Sequence, residues 1–465
     1  MIRTEQQGLQ QSLLTAIRQA TIDKSSLVSI VKKVAWTDPL LFYAAGNRLG
    51  YTECFYWSDP EQRVVFAGIG SAFTIADSSQ NRFQDARQAW NEILEKTVVN
   101  CPAYRFGTGP ILFGGFSFDP LQQKTKLWNA FSDTVLMLPA FLLTIKEGEA
   151  WLTTNQFVTH SDCAEVIENE MKQKEQQLLE LCKEPLEEQF VSIVHEHEVE
   201  PEKWMQSICD VQQSMKQGHV QKVVLARELK LTLEDALDSA HVIQSLRIGQ
   251  PDCYIFSLNY GGSCFLGATP ERLIRKENHI FTSMCLAGSI GRGSTPEEDE
   301  HNGEALLHDE KNLVEHQYVA DMIRHVMKEH CQEVNVPLYP GLMKTKNLIH
   351  LYTPVQGKGN ADLLTMVEQL HPTPALGGTP RMEALTLIRQ SELLDRGLYA
   401  GPIGWMDYEG NGEFAVGIRS GLINGKDVSL FAGCGIVEDS VPQLEYEETK
   451  MKFKPMLSAL GGNTK

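Results

Sequence analysis

Glu445, Glu448 and Lys452 stand three and four residues apart near the end of a 465-residue chain. On a helix those offsets put all three side chains on one stripe. Glu448 followed by Lys452 is also the favourable order for an ion pair on a solvated helix face, so the spacing alone fits a structural role equally. Asn312, Glu315 and His316 form a second polar group in a helical stretch. Two helices that each carry carboxylates supply the hard oxygen donors that Mg²⁺ takes, with positions left for water and an anionic ligand. In Gly267-Ala-Thr-Pro-Glu271-Arg272 a carboxylate follows a tight turn. Lys222 heads the apolar run Lys222-Val-Val-Leu-Ala226. A lysine there either snorkels from a strand edge or, if desolvated, gives up its proton readily enough to act as a base.

These groups need elements to position them. To about residue 160 the sequence reads as short strands with Gly-rich turns, among them 63–70 and 111–118. Helical spacing of apolar residues predicts a helix near Cys163 to Cys182. Residues 183–203 are charged and carry two prolines, and they read as a seam between an N-terminal region, 1–190, and a C-terminal one, 200–460. Within the seam, His195-Glu-His197 fits alternating residues on an exposed strand, with a metal pair as the alternative. Helices then alternate with strands. A strand is expected at 222–226, a long helix from about Glu304 to Cys331, a strand at 428–432 and a last helix from about Pro442 to Leu460. Gly410-Asn-Gly412 predicts a hairpin joining 403–407 to 413–419. Gly410-x-Gly412-x-x-Ala415 has the letters of a dinucleotide-binding loop, but it lies between two strands, where a turn accounts for both glycines. No GxxxxGK[ST] loop and no GxSxG elbow occurs.

Composition removes several classes. Hydrophobic residues make up 42% and charged residues 22%, an ordinary globular balance. With 42 Lys and Arg against 60 Asp and Glu, the net charge is −18, which argues against non-specific binding to nucleic acid or anionic membrane. The most apolar run, about Val135 to Ile145, is too short to span a bilayer and is interrupted by Pro139. The N-terminus has no secretory-signal pattern. The 10 cysteines include no CxxC pair, which fits small core residues in a reducing cytoplasm.

Taken in order, the segments resemble the chorismate-utilising enzymes: the anthranilate, aminodeoxychorismate, isochorismate and salicylate synthases. The resemblance covers about residues 200–455 and rests on QKVVLAR (221–227), GATPERL (267–273), LAGSIGRG (286–293), HDEKNLVEH (308–316), HLYTPVQG (350–357), LHPTPALGGTP (370–380), RGLYAGPIGW (396–405), VGIRS (416–420) and AGCGIVEDSVPQLEYEETKMK (432–452). Upstream, FYW (55–57) and FGGFSFDP (113–120) look most like the isochorismate synthases of menaquinone biosynthesis. The resemblance implies a mixed α/β (α+β), anthranilate-synthase-like fold, with antiparallel sheets forming a central sandwich and helices outside. The two regions are then expected to form one integrated body.

The resemblance also divides the family by nucleophile. Ammonia users share a PIKGT-like motif; here the stretch is Cys285-Leu-Ala-Gly-Ser289, with Ala287 where that lysine would stand. The water-using branch carries a lysine at the position of Lys222, and GTPR (378–381) replaces GAPK. The implied reaction is attack of water at ring carbon 2 of chorismate, a shift of the double bonds and departure of the hydroxyl at carbon 4. Lys222, neutral, is the implied base. Glu271, protonated through burial or neighbouring negative charge, is the implied acid. Glu315 and Glu448 match the family's Mg²⁺ ligands, Glu445 matches a nearby ligand, direct or through water, and Asn312 stands where many relatives have an acidic residue. Arg419, Lys452, Tyr399 and the backbone at Gly433 to Gly435 match positions that hold the enolpyruvyl side chain. Gly288 and Ser289 match a pocket wall, and His350 a histidine near the ring, with a structural role as its alternative. No glutamine amidotransferase subunit is implied. A salicylate synthase, a siderophore-pathway isochorismate synthase and a chorismate-binding regulatory protein are the competing readings.

Overall fold

Alternation along the strands decides where the core lies. In Cys54–Ser58, Phe55 and Trp57 point into one apolar core while Cys54 and Tyr56 point into another on the opposite face. The computed structural model describes residues 1–4, 8–187, 189, 191–346 and 348–462. Its strands pair in a long antiparallel succession. From Ile193–Glu198 the pairing runs through Lys222–Leu233, Asp427–Ile436, Ser420–Asn424, Ser263–Thr269, Tyr254–Tyr260, Cys54–Ser58 and Val64–Asp77 to Thr134–Lys146.

There the sheet forks. Residues 134–137 pair with Ile111–Phe116, and residues 141–146 with Glu149–Val158. Pro139 sits between the two ladders, where a residue without an N–H interrupts neither, and its carbonyl accepts a hydrogen bond from Asn155 Nδ2 at 2.8 Å. The proline in the most apolar run is thus the point at which one strand changes partners. From Ile111–Phe116 the pairing continues through Pro402–Asp407, Gly412–Val416, Arg272–Glu277 and Ile280–Gly291 to Leu348–Lys358. Among the described residues, parallel pairing occurs only where Val98–Asn100 meets Ile2–Thr4 and Ser26–Val34.

The larger core gathers Phe55, Phe113, Leu225, Phe256, Ile274 and Trp405, drawn from strands along the whole succession. The second core lies under the helices Pro39–Arg48, Ser239–Gly249 and Pro442–Ala459. This is the sandwich with outer helices that the sequence resemblance implied. None of the helices among the described residues is long and apolar enough to cross a membrane.

Most elements stand where expected, including the helix Ala164–Leu181 and the hairpin of Pro402–Asp407 with Gly412–Val416. The long helix does not: 304–331 is two helices, Pro296–Leu307 and Glu310–His330. The break follows from Asp309, whose side chain caps the second helix by accepting from Asn312 N at 2.8 Å. The strands at 222–226 and 428–432 extend to Lys222–Leu233 and Asp427–Ile436. The seam holds the strand Ile193–Glu198, with His195 and His197 exposed and their rings stacked 6.4 Å apart; seam residues 188 and 190 lie outside the described residues. Seven of the cysteines are buried, which fits the core reading.

Candidate active site

Lys222 begins the strand Lys222–Leu233, which pairs with Asp427–Ile436 so that Val224 faces Gly435 and Ala226 faces Gly433. The glycines matter sterically. A Cβ at Gly435 would lie 2.8 Å from Lys222 Cε and 3.3 Å from Glu315 Oε1. A methyl there would push the end of the lysine from its present path behind this strand. The Lys222 side chain is 1% exposed, and its Nζ donates to Glu315 Oε1 at 2.6 Å.

Glu271 stands in the turn between Ser263–Thr269 and Arg272–Glu277. Its backbone is pinned: N donates to Thr269 Oγ1 at 3.3 Å, and O accepts from Val416 N at 3.1 Å. Burial pushes the carboxyl up to about 7, against the opposing pull of Arg419, Lys222 and Lys452. Near neutral pH this side chain can therefore carry a proton, which an exposed glutamate would not.

The other carboxylates come from two helices. Glu315 belongs to Glu310–His330; Glu445 and Glu448 belong to Pro442–Ala459. Lys452 Nζ lies 2.6 Å from Glu448 Oε1 and donates to the Gly433 carbonyl at 2.8 Å. The Lys452 ammonium holds Glu448 below the usual carboxylate range, while burial and then the Glu448 charge push Glu445 up. As they lie, no three His, Cys, Asp or Glu side chains among the described residues are grouped closely enough to chelate an ion. Glu315 and Glu448 turn instead to their lysines.

The walls are shaped by backbone. The strand Ile280–Gly291 bulges between Leu286 and Ser289, and Gly288 takes φ +79° with its absent Cβ facing Asn312 Oδ1 at 3.1 Å. The bulge is tied to the helix by His316, whose Nδ1 lies 3.0 Å from the Ala287 carbonyl and Nε2 2.8 Å from Thr353 Oγ1. Ser289 pairs with His350 across the ladder. Burial, then Arg419 and Lys452, bring His350 down to about 3, so it is neutral. Arg419 has φ +50°, a left-handed backbone held in part by donation from Ala268 N to its carbonyl at 3.1 Å.

One cavity of about 250 Å³ joins these groups: Glu271, Gly288, Ser289, Asn312, Glu315, His350, Tyr399, Arg419, Gly433, Gly435, Glu445, Glu448 and Lys452 all line it. Lys222 reaches it only through Glu315, from behind Gly435. Two lining cations were missed at the level of sequence. Lys311 immediately precedes Asn312 and pulls on both Glu445 and Glu448. Arg396 opens the RGLYAGPIGW run; it donates to Glu392 and, at 2.8 Å, to the Val224 carbonyl, and so braces the Lys222 strand. A larger groove of about 980 Å³ beside Ile193–Glu198 is lined in part by His195 and shares no lining residue with this cavity.

Residues 11–461 match the family model for chorismate binding enzymes. The chain belongs to the chorismate-binding enzyme family. Among curated members it is similar to the isochorismate synthase MenF of Bacillus subtilis, at 39% identity over 99% of each chain. It is also similar to the salicylate biosynthesis isochorismate synthase of Pseudomonas aeruginosa, at 36% identity over 96% of this chain and 94% of that one. Among solved structures, the menaquinone-specific isochorismate synthase of Escherichia coli superposes with a TM-score of 0.78 at 25% identity, covering 97% of this chain and all of that one. Anthranilate synthase component I of Streptococcus pneumoniae shares the fold, with a TM-score of 0.71 at 21% identity over 85% of this chain and 92% of that one.

Proposed function

We infer that this chorismate-binding enzyme is an isochorismate synthase that adds water at carbon 2 of chorismate and expels the hydroxyl at carbon 4, in service of menaquinone biosynthesis. The observation that carries the reading is an acid and a base in unusual settings: Glu271, which lines the cavity and is pushed up to about 7, and the buried Lys222, which lies behind the cavity wall and meets it through Glu315. The near full-length likeness to an isochorismate synthase MenF supports both the chemistry and the pathway. Ala287, in place of the lysine that ammonia users carry, supports water as nucleophile.

Each side chain has a task. Lys222 accepts a proton from the attacking water. It now stands in an ion pair with Glu315, so acting as a base requires its release from that carboxylate as the neutral amine. Glu271 gives its proton to the departing hydroxyl, which would otherwise leave as hydroxide. General acid and base groups of this kind each contribute roughly 10²–10⁴-fold. Arg419 and Lys452 hold the enolpyruvyl carboxylate, with Tyr399 and the backbone N–H groups of Gly433 to Gly435 beside it. Gly288, Ser289 and the neutral His350 bound the ring.

The donor set fits Mg²⁺: three carboxylates on two helices, with Asn312 near, offer oxygen ligands only. Glu445, together with Glu315 and Glu448 once these two turn from Lys222 and Lys452, would hold the ion, with Asn312 at most through a water. When bound, Mg²⁺ supplies a positive charge that clamps the ring carboxylate.

Incubating the protein with chorismate and Mg²⁺ and separating the products tests the reading. Isochorismate is expected, and EDTA is expected to stop its formation. Salicylate with pyruvate as the main product, or a product that requires ammonia, would overturn it. The 36% identity to a salicylate biosynthesis isochorismate synthase makes a siderophore pathway the second reading; menaquinone loss on gene deletion, restored by this chain, decides between them.

A further inference from the structure

A second cavity, of about 450 Å³, meets the first at Pro270, His350 and Arg419, which belong to the walls of both. Its charge is unlike that of the chain. The described lining residues include four cations, Arg292, Lys346, Arg419 and Lys454, and no Asp or Glu. This occurs in a protein with 18 more acidic than basic residues. The elements that bring the cations together are separate in sequence: the end of the strand Ile280–Gly291, the turn before Leu348–Lys358, and the outer face of Pro442–Ala459.

Arg292 is already committed. Its Nε lies 2.6 Å from Asp299 Oδ1, and it donates to the Thr345 carbonyl at 2.7 Å. Lys346 is exposed and Lys454 half-buried, so their charges face the cavity and its mouth. A vestibule with one sign of charge and low-dielectric walls raises the local concentration of the opposite ion. It leads to Arg419, the group assigned to a substrate carboxylate.

We propose that this vestibule is the approach route of the dianionic substrate, with Lys346 and Lys454 drawing it toward Arg419. The proposal rests on the reading of the inner cavity as a chorismate site. The two lysines touch the substrate only in transit, so they set the rate of capture and not the chemistry.

The test uses the full-length protein and the variants Lys346→Gln, Lys454→Gln and Lys346→Glu/Lys454→Glu, with Lys172→Glu on the remote helix Ala164–Leu181 as control. Steady-state rates are measured from low to high ionic strength, and chorismate binding is measured separately by calorimetry. Each neutralised lysine is expected to lower kcat/KM about 3–5-fold at low salt, as a Coulomb interaction with a dianion across water allows. The double reversal is expected to lower it further, kcat is expected to hold, and the differences are expected to close as salt screens them. The control is expected to match the parent.

Unchanged kcat/KM and salt dependence in the double reversal would overturn the route. So would a fall in kcat, which would place the lysines in the chemistry. Parent protein that binds chorismate with lysine- and salt-dependent affinity but does not turn it over would sink the functional reading and keep the vestibule. Parent protein that neither binds nor converts chorismate would overturn both.

Discussion

Replacing Glu271 by Gln separates the acid's role in turnover from its effect on stability, because the two should move in opposite directions. The buried carboxyl is pushed from 4.5 up to about 7. A group with a raised folded-state pKa contributes stability that is fully present below its unfolded pKa and is lost as pH rises through the folded value. The window here is therefore about pH 4.5 to 7. At about 1.36 kcal/mol per unit, a shift of 7 − 4.5 makes the ionised carboxylate cost on the order of 3 kcal/mol above pH 7. Gln keeps the shape and never ionises. Glu271→Gln should thus be more stable than the parent by about 3 kcal/mol at pH 8, and by about 1 kcal/mol at pH 5. Unfolding entropy of about 2.1 cal/mol/K per residue makes each kcal/mol worth about 1 °C in a chain of 465 residues, so the Tm gain should be about 3 °C at pH 8 and about 1 °C at pH 5. Turnover should fall roughly 10²–10⁴-fold. In the parent, kcat/KM should decline as pH rises through about 7 and the acid form disappears; in the variant that limb should be missing. Thermal scans at the two pH values, beside pH–rate profiles, read all of this. A variant Tm that tracks the parent at both pH values would refute the desolvation argument. Turnover within tenfold of the parent would refute the acid.

Substitutions at two further positions probe the base. Lys222→Ala should abolish turnover with the circular dichroism spectrum intact, and the near-isosteric Lys222→Met guards against loss through a cavity; retained activity in either would contradict the base. Gly435→Ala puts a methyl 2.8 Å from Lys222 Cε and 3.3 Å from Glu315 Oε1, so it should lower kcat at least tenfold in a folded protein. A kcat within twofold of the parent would mean that the lysine does not need the path behind this strand.

Much of this site was legible because its chemistry lies in contiguous motifs. Glu271, Glu315, Arg419 and Glu448 could be placed by spacing and resemblance, and they meet in one cavity. What escaped depends on approach in three dimensions. The burial of Lys222 behind Gly435 comes from the register between two strands that lie some two hundred residues apart in sequence. The break at Asp309 was missed because helical periodicity runs through 304–331, and a single side-chain cap outweighs it. The fork at Pro139 read only as an interruption, since nothing local says that a strand changes partners there. Lys311 lies inside HDEKNLVEH and Arg396 inside RGLYAGPIGW, yet they carry meaning only beside Glu448 and Val224.

The charges around the cavity give the metal a reason beyond ligand identity. In the proposed mechanism Glu271 as acid and Lys222 as base both start neutral. Glu315, Glu445 and Glu448 then bring three negative charges, and a dicarboxylate substrate two more. Lys311, Arg419 and Lys452 answer with three positive charges, while Arg396 is committed to Glu392. The balance, −3 − 2 + 3, is −2, which one divalent cation cancels. Substrate and Mg²⁺ should therefore each strengthen the binding of the other, by the same factor in both directions. Calorimetry on Lys222→Met, which cannot turn the substrate over, can measure chorismate affinity with and without Mg²⁺, and Mg²⁺ affinity with and without chorismate. A coupling of tenfold or more is expected. Equal chorismate affinity in the presence and absence of Mg²⁺ would show that the cations of the protein hold the dianion unaided, and would remove the electrostatic reason for the metal.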